Sequence, residues 1–225
     1  MENSRPGEAR WLDVAPGRLA GWLESFAARH GGLAEVSPEA AVVTFQAVDG
    51  SSAECHVPFP PLPEAAASAA QISAHALADR RVGVLLVRLG GYAAGVFSGP
   101  DQRLEASKVG SRLVHGRSAA GGTSQHRFAR RREKQASEAL TAAANCAAAV
   151  FGPYAGRLDA VVLGGDKRAM AGLAGDPRLR PYLDLAVDRF LTVPDPRLAV
   201  LRAAPRLFLA IQIRLTQAAV PPAGR

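Results

Sequence analysis

Val82–Phe97 reads VGVLLVRLGGYAAGVF. Its first eight residues form an apolar run interrupted only by Gly83 and Arg88, the pattern of a strand buried on both faces. Gly90-Gly91 supplies a tight turn, and Tyr92–Phe97 returns as the hairpin partner. Leu104–Val109 is expected to add a third strand. Ser111–Thr123 then carries Gly116, Gly121 and Gly122 with little apolar content, which predicts a loop. From Ser124 to about Val150 the pattern becomes helical. Phe128, Gln135, Ala139, Ala143, Cys146 and Val150 share one side, and Ser124 or Thr123 is placed to cap the first turn. Beyond Gly152-Pro153 the elements alternate. Ala160–Leu163 and Arg189–Val193 read as strands, Lys167–Leu173 and Pro196–Arg202 as short helices, and the period of two over 207–215 as a last strand. This alternation predicts an α/β fold, a mixed β-sheet with helices packed on it.

Upstream, Leu19, Trp22, Leu23 and Phe26 recur at helical spacing within Pro16–His30, and Gly31-Gly32 ends the run. Ala41–Ala47 and Ala53–Pro58 read as strands joined at Asp49-Gly50, Pro60–Ala70 as a linker, and Ile72–Arg80 as a helix. The expected organisation is a small N-terminal α+β part over residues 1–64 and a second domain over 65–225, with a mobile loop at 111–123. A chain of 225 residues with 48% apolar content can bury a core of this size.

The charge is concentrated. The chain carries 27 Lys/Arg against 20 Asp/Glu, a formal net charge of +7. Nine of those bases and only two of the acids lie between Arg103 and Lys134, so bases and acids balance over the rest of the chain. One such patch is the footprint of a polyanion, most often nucleic acid. Arg127, Arg130, Arg131 and Lys134 stand at i, i+3, i+4 and i+7, a basic stripe on the first turns of the predicted helix. Arg132 lies beside them, and Arg112, Arg117 and Lys108 extend the patch. Cys55 and Cys146 have no metal-ligand spacing, and two isolated thiols suggest a reducing compartment. No apolar run approaches the roughly 20 residues of a membrane helix, and MENSRPGEAR does not read as a signal peptide. A cytoplasmic protein is expected, with no membrane partner, no metal and no cofactor. The absence of paired carboxylates or a ligand cluster argues against a metal-dependent nuclease.

Strand, strand, strand, loop and basic helix, in that order, resemble the catalytic middle domain of the eukaryotic and archaeal class I release factors. The residues that carry the resemblance are His115-Gly116-Arg117, Gly121-Gly122, Gln125 and Arg127-Phe128-Ala129-Arg130, continued by Arg132, Glu133 and Lys134. Thr123 and Ser124 separate the glycines from Gln125. That gap is similar to the Vms-like release factor family and its actinobacterial peptidyl-tRNA hydrolases. The resemblance runs from about Val82 to the C-terminus. It implies a peptidyl-tRNA hydrolase acting on stalled large ribosomal subunits, with ribosomal RNA and peptidyl-tRNA as partners. A monomer is expected.

Within that resemblance Gly121, Gly122 and Gln125 form the catalytic tip, and Arg112, His115, Arg117, Arg127, Arg130, Arg131, Arg132 and Lys134 contact RNA. Glutamine does not titrate and is a poor general base, but its amide can hold a water against an ester, and a helix start offers free N–H groups to a developing oxyanion. The alternative reading of Gln125 is an ordinary exposed residue at a helix start. Arginines grip phosphate in bidentate fashion and set position rather than chemistry; their alternative is a solvated helix face. His115 is read as loop structure or an RNA contact. Gly164-Gly165-Asp166 is read as a strand–helix turn rather than an anion site. Two other functions stay open: cleavage of tRNA near its 3′ end, and a non-catalytic ribosome-binding factor.

Overall fold

The computed structural model describes residues 9–63, 67–88, 90–112 and 125–218, with the backbone alone for 125–132. The chain forms two compact units, residues 1–78 with 206–225, and residues 79–205.

The first unit opens with β1 (Arg10–Val14), a turn of 3-10 helix at Pro16–Arg18 and α1 (Leu19–Arg29). β2 (Leu33–Pro38), β3 (Val42–Ala47), β4 (Ser52–His56) and α2 (Ala69–Ala76) follow. Ser68 and Gln71 form a reciprocal capping box at the start of α2, which satisfies amides that a helix start otherwise leaves free. The expected helix at Ile72–Arg80 therefore starts and ends earlier than its apolar pattern suggests. Gly50 takes a positive φ in the β3–β4 turn, and Asp49 Oδ1 accepts the Ser51 amide at 2.8 Å.

A strand from the far end of the chain, numbered β10 in chain order (Ile211–Thr216), completes this sheet. The order is β1-β10-β4-β3-β2, antiparallel throughout. Register sets Leu12, Ile213, Cys55 and Val43 side by side. Alternation along β4 turns Ala53 and Cys55 into a core shared with Leu19, Leu23, Phe26 and Ile72. On the opposite face Arg214 pairs with Glu54 at 2.9 Å. The sequence expectation placed this strand in the second domain and the boundary after residue 64. The structure corrects both, because β10 finds its partners in β1 and β4.

The second unit contains the expected hairpin, β5 (Val82–Arg88) and β6 (Gly91–Ser98), then β7 (Arg103–Ser111) and α3 (Gln125–Phe151). β8 (Ala160–Gly165), α4 (Lys167–Leu173), α5 (Arg180–Leu183), β9 (Ala186–Leu191) and α6 (Leu198–Phe208) follow. The last residues of α6 fall within the first unit. The sheet order is β7-β6-β5-β8-β9. β5–β6 and β6–β7 are antiparallel, while β5–β8 and β8–β9 are parallel. The fold is thus α/β on a mixed sheet, as the alternation predicts. Central β5 is buried from Val82 through Val87. Leu85, Val87, Ala94 and Val96 face a cluster with Ala143, Ala147, Val150 and Phe151 of α3. A Cβ at Gly95 would come within 3.0 Å of Leu201, so α6 lies close over β6.

One local expectation changes, and one holds. α6 runs through Pro205 to Phe208, so the alternation over 207–215 begins in a helix end and a bend and becomes strand only from Ile211. Leu201, Ala204 and Phe208 are all buried, and this helical stripe outweighs the missing proline amide. Gly164-Gly165-Asp166 is a strand–helix turn. Asp166 caps α4 by accepting the amides of Arg168 at 2.8 Å and Ala169 at 3.3 Å, which commits its carboxylate to the backbone.

Candidate nucleic-acid interface

α3 decides where the candidate residues go. It is 27 residues long, and its first residue is Gln125. Ala139 is the first described residue along it to be buried, and Ala143, Ala144, Cys146, Ala147, Val150 and Phe151 complete the buried side. At 1.5 Å per residue, Gln125 stands about 21 Å along the axis from Ala139. The C-terminal half is the anchor. Its small alanines let it lie close on β6 and β7. Cys146 Sγ donates to the Lys108 carbonyl at 3.3 Å, and Asn145 Oδ1 accepts from Arg178 Nη1 at 2.8 Å. Burial pushes the Cys146 thiol above its ordinary pKa, and that of Cys55 up to about 12. Neither is the reactive thiolate that nucleophilic catalysis needs.

The N-terminal half carries the predicted chemistry. Gln125, Arg127, Arg130, Arg131 and Arg132 lie within the helical backbone. Gln125 opens the helix, so it belongs to the first turn, whose amides have no intrahelical acceptor and whose end carries the positive pole of the helix dipole. His115, Arg117, Gly121, Gly122 and the expected caps Thr123 and Ser124 lie outside the described residues. Lys134 is exposed and sits 3.9 Å from Glu138, a solvated i, i+4 pair that holds the ammonium only weakly.

Arg112 is placed differently from the stripe. It follows β7, and its amide donates to the Gly90 carbonyl at 2.7 Å, fixing it against the β5–β6 turn. It stands between two hollows. One, of about 310 Å³, is shared with Ser137, Glu138, Thr141 and Asn145 of α3. Ser137 lies 12 residues, about 18 Å along the axis, from Gln125. The structure thus brings Arg112 to the middle of α3, well behind the helix start. The other hollow, of about 420 Å³, also has Arg88, Ser111, Asp195 and Arg197 in its wall. Arg88 and Arg197 escape a sequence reading because they lie 109 positions apart. The one available signal was the charge that ends the apolar run of β5.

Among the described residues, no group of three or more His, Cys, Asp or Glu is placed to hold a metal ion. Among the same residues, no helix is long and apolar enough to cross a membrane.

The second unit is a mixed-sheet α/β domain that holds one long helix by its C-terminal half. Residues 80–214 match the family described as Actinobacteria/chloroflexi VLRF1 release factor. The match covers more than half of the chain, and the protein belongs to that release-factor family. No curated protein sequence matches it. Among solved structures it is similar to the crystal structure of an archaeal translation termination factor, aRF1, at 12% identity and a TM-score of 0.41, covering 89% of this chain and 66% of that one. It is also similar to a structure described as an archaeal protein, at 14% identity and a TM-score of 0.38, covering 87% and 63%. The chain spans less than two thirds of the length of either.

Proposed function

We propose that this protein is a peptidyl-tRNA hydrolase that frees nascent chains from stalled large ribosomal subunits. The observation that carries the reading is Gln125 at the first position of α3, within a segment that belongs to a release-factor family. Chain release requires hydrolysis of the ester between peptide and tRNA. Water attacks the ester carbonyl, and the tRNA 3′ oxygen leaves with a proton. Gln125 positions that water through its side-chain amide, and backbone N–H groups at the helix start favour the developing negative charge. Gly121 and Gly122 let the tip approach RNA closely. Arg127, Arg130, Arg131, Arg132 and Lys134 hold phosphates of ribosomal RNA or tRNA, with Arg117 and His115 contributing from the preceding segment. In this reading the protein acts as a cytoplasmic monomer without a cofactor.

Peptide release from large-subunit–peptidyl-tRNA complexes tests it, with wild type compared against Gln125→Ala. The variant is expected to bind the complexes as wild type does and to release no peptide. Release at the wild-type rate removes Gln125 from the chemistry. The freed tRNA separates the two reactions: an intact 3′ end means ester hydrolysis, and a shortened one means tRNA cleavage.

A further inference from the structure

We infer that the hollow between Arg88, Arg112 and Arg197 is a second seat for an RNA backbone phosphate, at the end of the sheet from which the chain leaves toward Gly121 and Gly122. The inference rests on the proposal that RNA is the partner, and it adds Arg88 and Arg197 to the surface that meets it.

Three observations support it. The first is position. Arg88 ends β5, and Arg197 comes six residues after β9 ends at Leu191. β5, β8 and β9 run parallel, so the hollow lies beyond their carboxyl ends, where open α/β sheets place their ligands. The second is charge. Three arginines and one aspartate, Asp195, line the same hollow of about 420 Å³. Asp195 lies toward Arg88, with Oδ1 3.8 Å from Nε, and Arg88 Nη1 donates to the Val193 carbonyl at 2.8 Å. Arg88 is thereby held in place. Arg112 and Arg197 are exposed, and among the described residues neither side chain meets a carboxylate. Cations gathered around one hollow repel one another unless an anion joins them. The third is access. Gly90, Gly91 and Gly110 line the hollow beside Val109, Pro196 and Ser111, so three of its positions offer backbone without a side chain of their own. The Tyr92 ring packs against Gly110, so a side chain larger than hydrogen is not accommodated at that position.

The test is equilibrium binding of the full chain to large ribosomal subunits and, separately, to deacylated tRNA, each over a salt series. The variants are Arg112→Gln/Arg197→Gln and Ser111→Glu, with Gln125→Ala alongside. Removing two phosphate contacts is expected to weaken binding about tenfold and to lower the salt slope by about 1.5. Ser111→Glu weakens binding in the same direction by placing a carboxylate in the seat. Loss on tRNA alone assigns the phosphate to tRNA, and loss on subunits alone assigns it to ribosomal RNA. Wild-type affinity and slope in both variants, on both RNAs, overturns the seat while leaving the release reading intact. Absence of wild-type binding to either RNA overturns both. Reduced affinity with an unchanged slope also overturns the phosphate assignment.

Discussion

Gly165→Ala should unfold much of the second unit's margin of stability. Gly165 ends β8 with φ +104°, a conformation that side-chain-bearing residues rarely adopt. A Cβ there would overlap the carbonyl oxygen of Val87 on the neighbouring strand. That same oxygen accepts the Asp166 amide at 2.8 Å, the bond that leads the chain into α4. The backbone conformation costs about 1–3 kcal/mol for alanine, and the overlap about 1–3 kcal/mol more. We therefore expect a loss of about 4 kcal/mol, against a total domain stability of roughly 5–15 kcal/mol. Urea unfolding measures it, and the chain provides its own reporters. Tyr92, Tyr154 and Tyr182 all lie in the second unit, whereas Trp11 and Trp22 lie in the first. With a slope of about 2 kcal/mol per molar urea, the tyrosine midpoint should fall by about 2 M. Gly175→Ala is the control. It has open space around its Cβ position and no positive φ, so it should change stability by less than about 1 kcal/mol. A Gly165→Ala loss below about 1 kcal/mol would refute the claim that this turn admits only glycine.

Replacing Arg130, Arg131 and Arg132 together by Gln should weaken binding to large subunits and reduce the salt slope by about 2–3, read from binding isotherms over a salt series; an unchanged slope would remove these residues from the RNA surface. Acid should destabilise the fold through three carboxyls held below their ordinary pKa values. Asp49 is lowered first by its bond to His30 and Asp176 first by Arg178, while for Glu105 the first cause is Ser98, followed by the charge of Arg81. Depressed folded-state values stabilise above the unfolded pKa and lose that contribution as pH falls through the folded one, so the loss should set in below about pH 4. Carboxyl titration by NMR should place all three below their unfolded-chain values, and ordinary values would contradict the pairing. Cys55, pushed up to about 12 by burial, should resist thiol reagents at neutral pH until the chain is unfolded; rapid labelling of the native protein at Cys55 would show that its site opens.

Much of the second unit could be read directly. Its central strands β5, β6 and β8 are buried and α3 buries one side, so β5, the Gly90-Gly91 turn, α3 and α4 follow from apolar pattern alone. The strands that escaped reading have a common cause. β1 and β2 are the two edges of the first sheet, and along β1 only Val14 is buried. Such strands owe their form to pairing rather than to an inward face, and the partner of β1 lies 201 positions away, as Leu12 opposite Ile213 shows. The end of α6 misled for another reason. Leu207 and Leu209 continue the alternation of the strand that follows, but Leu207 is largely exposed and the helix is held by Phe208. For the candidate site, residue types and spacing identified the front of α3, because charge density is a local property. The arginine hollow was hidden, since it is assembled by three loops at one end of a sheet.

The position of β10 has a consequence for biosynthesis. It lies between β1 and β4, so before residues 211–216 leave the ribosome the first strand of the protein has no neighbour and β4 is an open edge. All of the second unit is made before that point. Residues 79–205 can therefore close their own sheet during translation, while the N-terminal segment, synthesised first, is the last to be completed. A nascent chain that has emerged only as far as residue 205 would hold its central unit complete while β1 still waits for the strand that pairs with it.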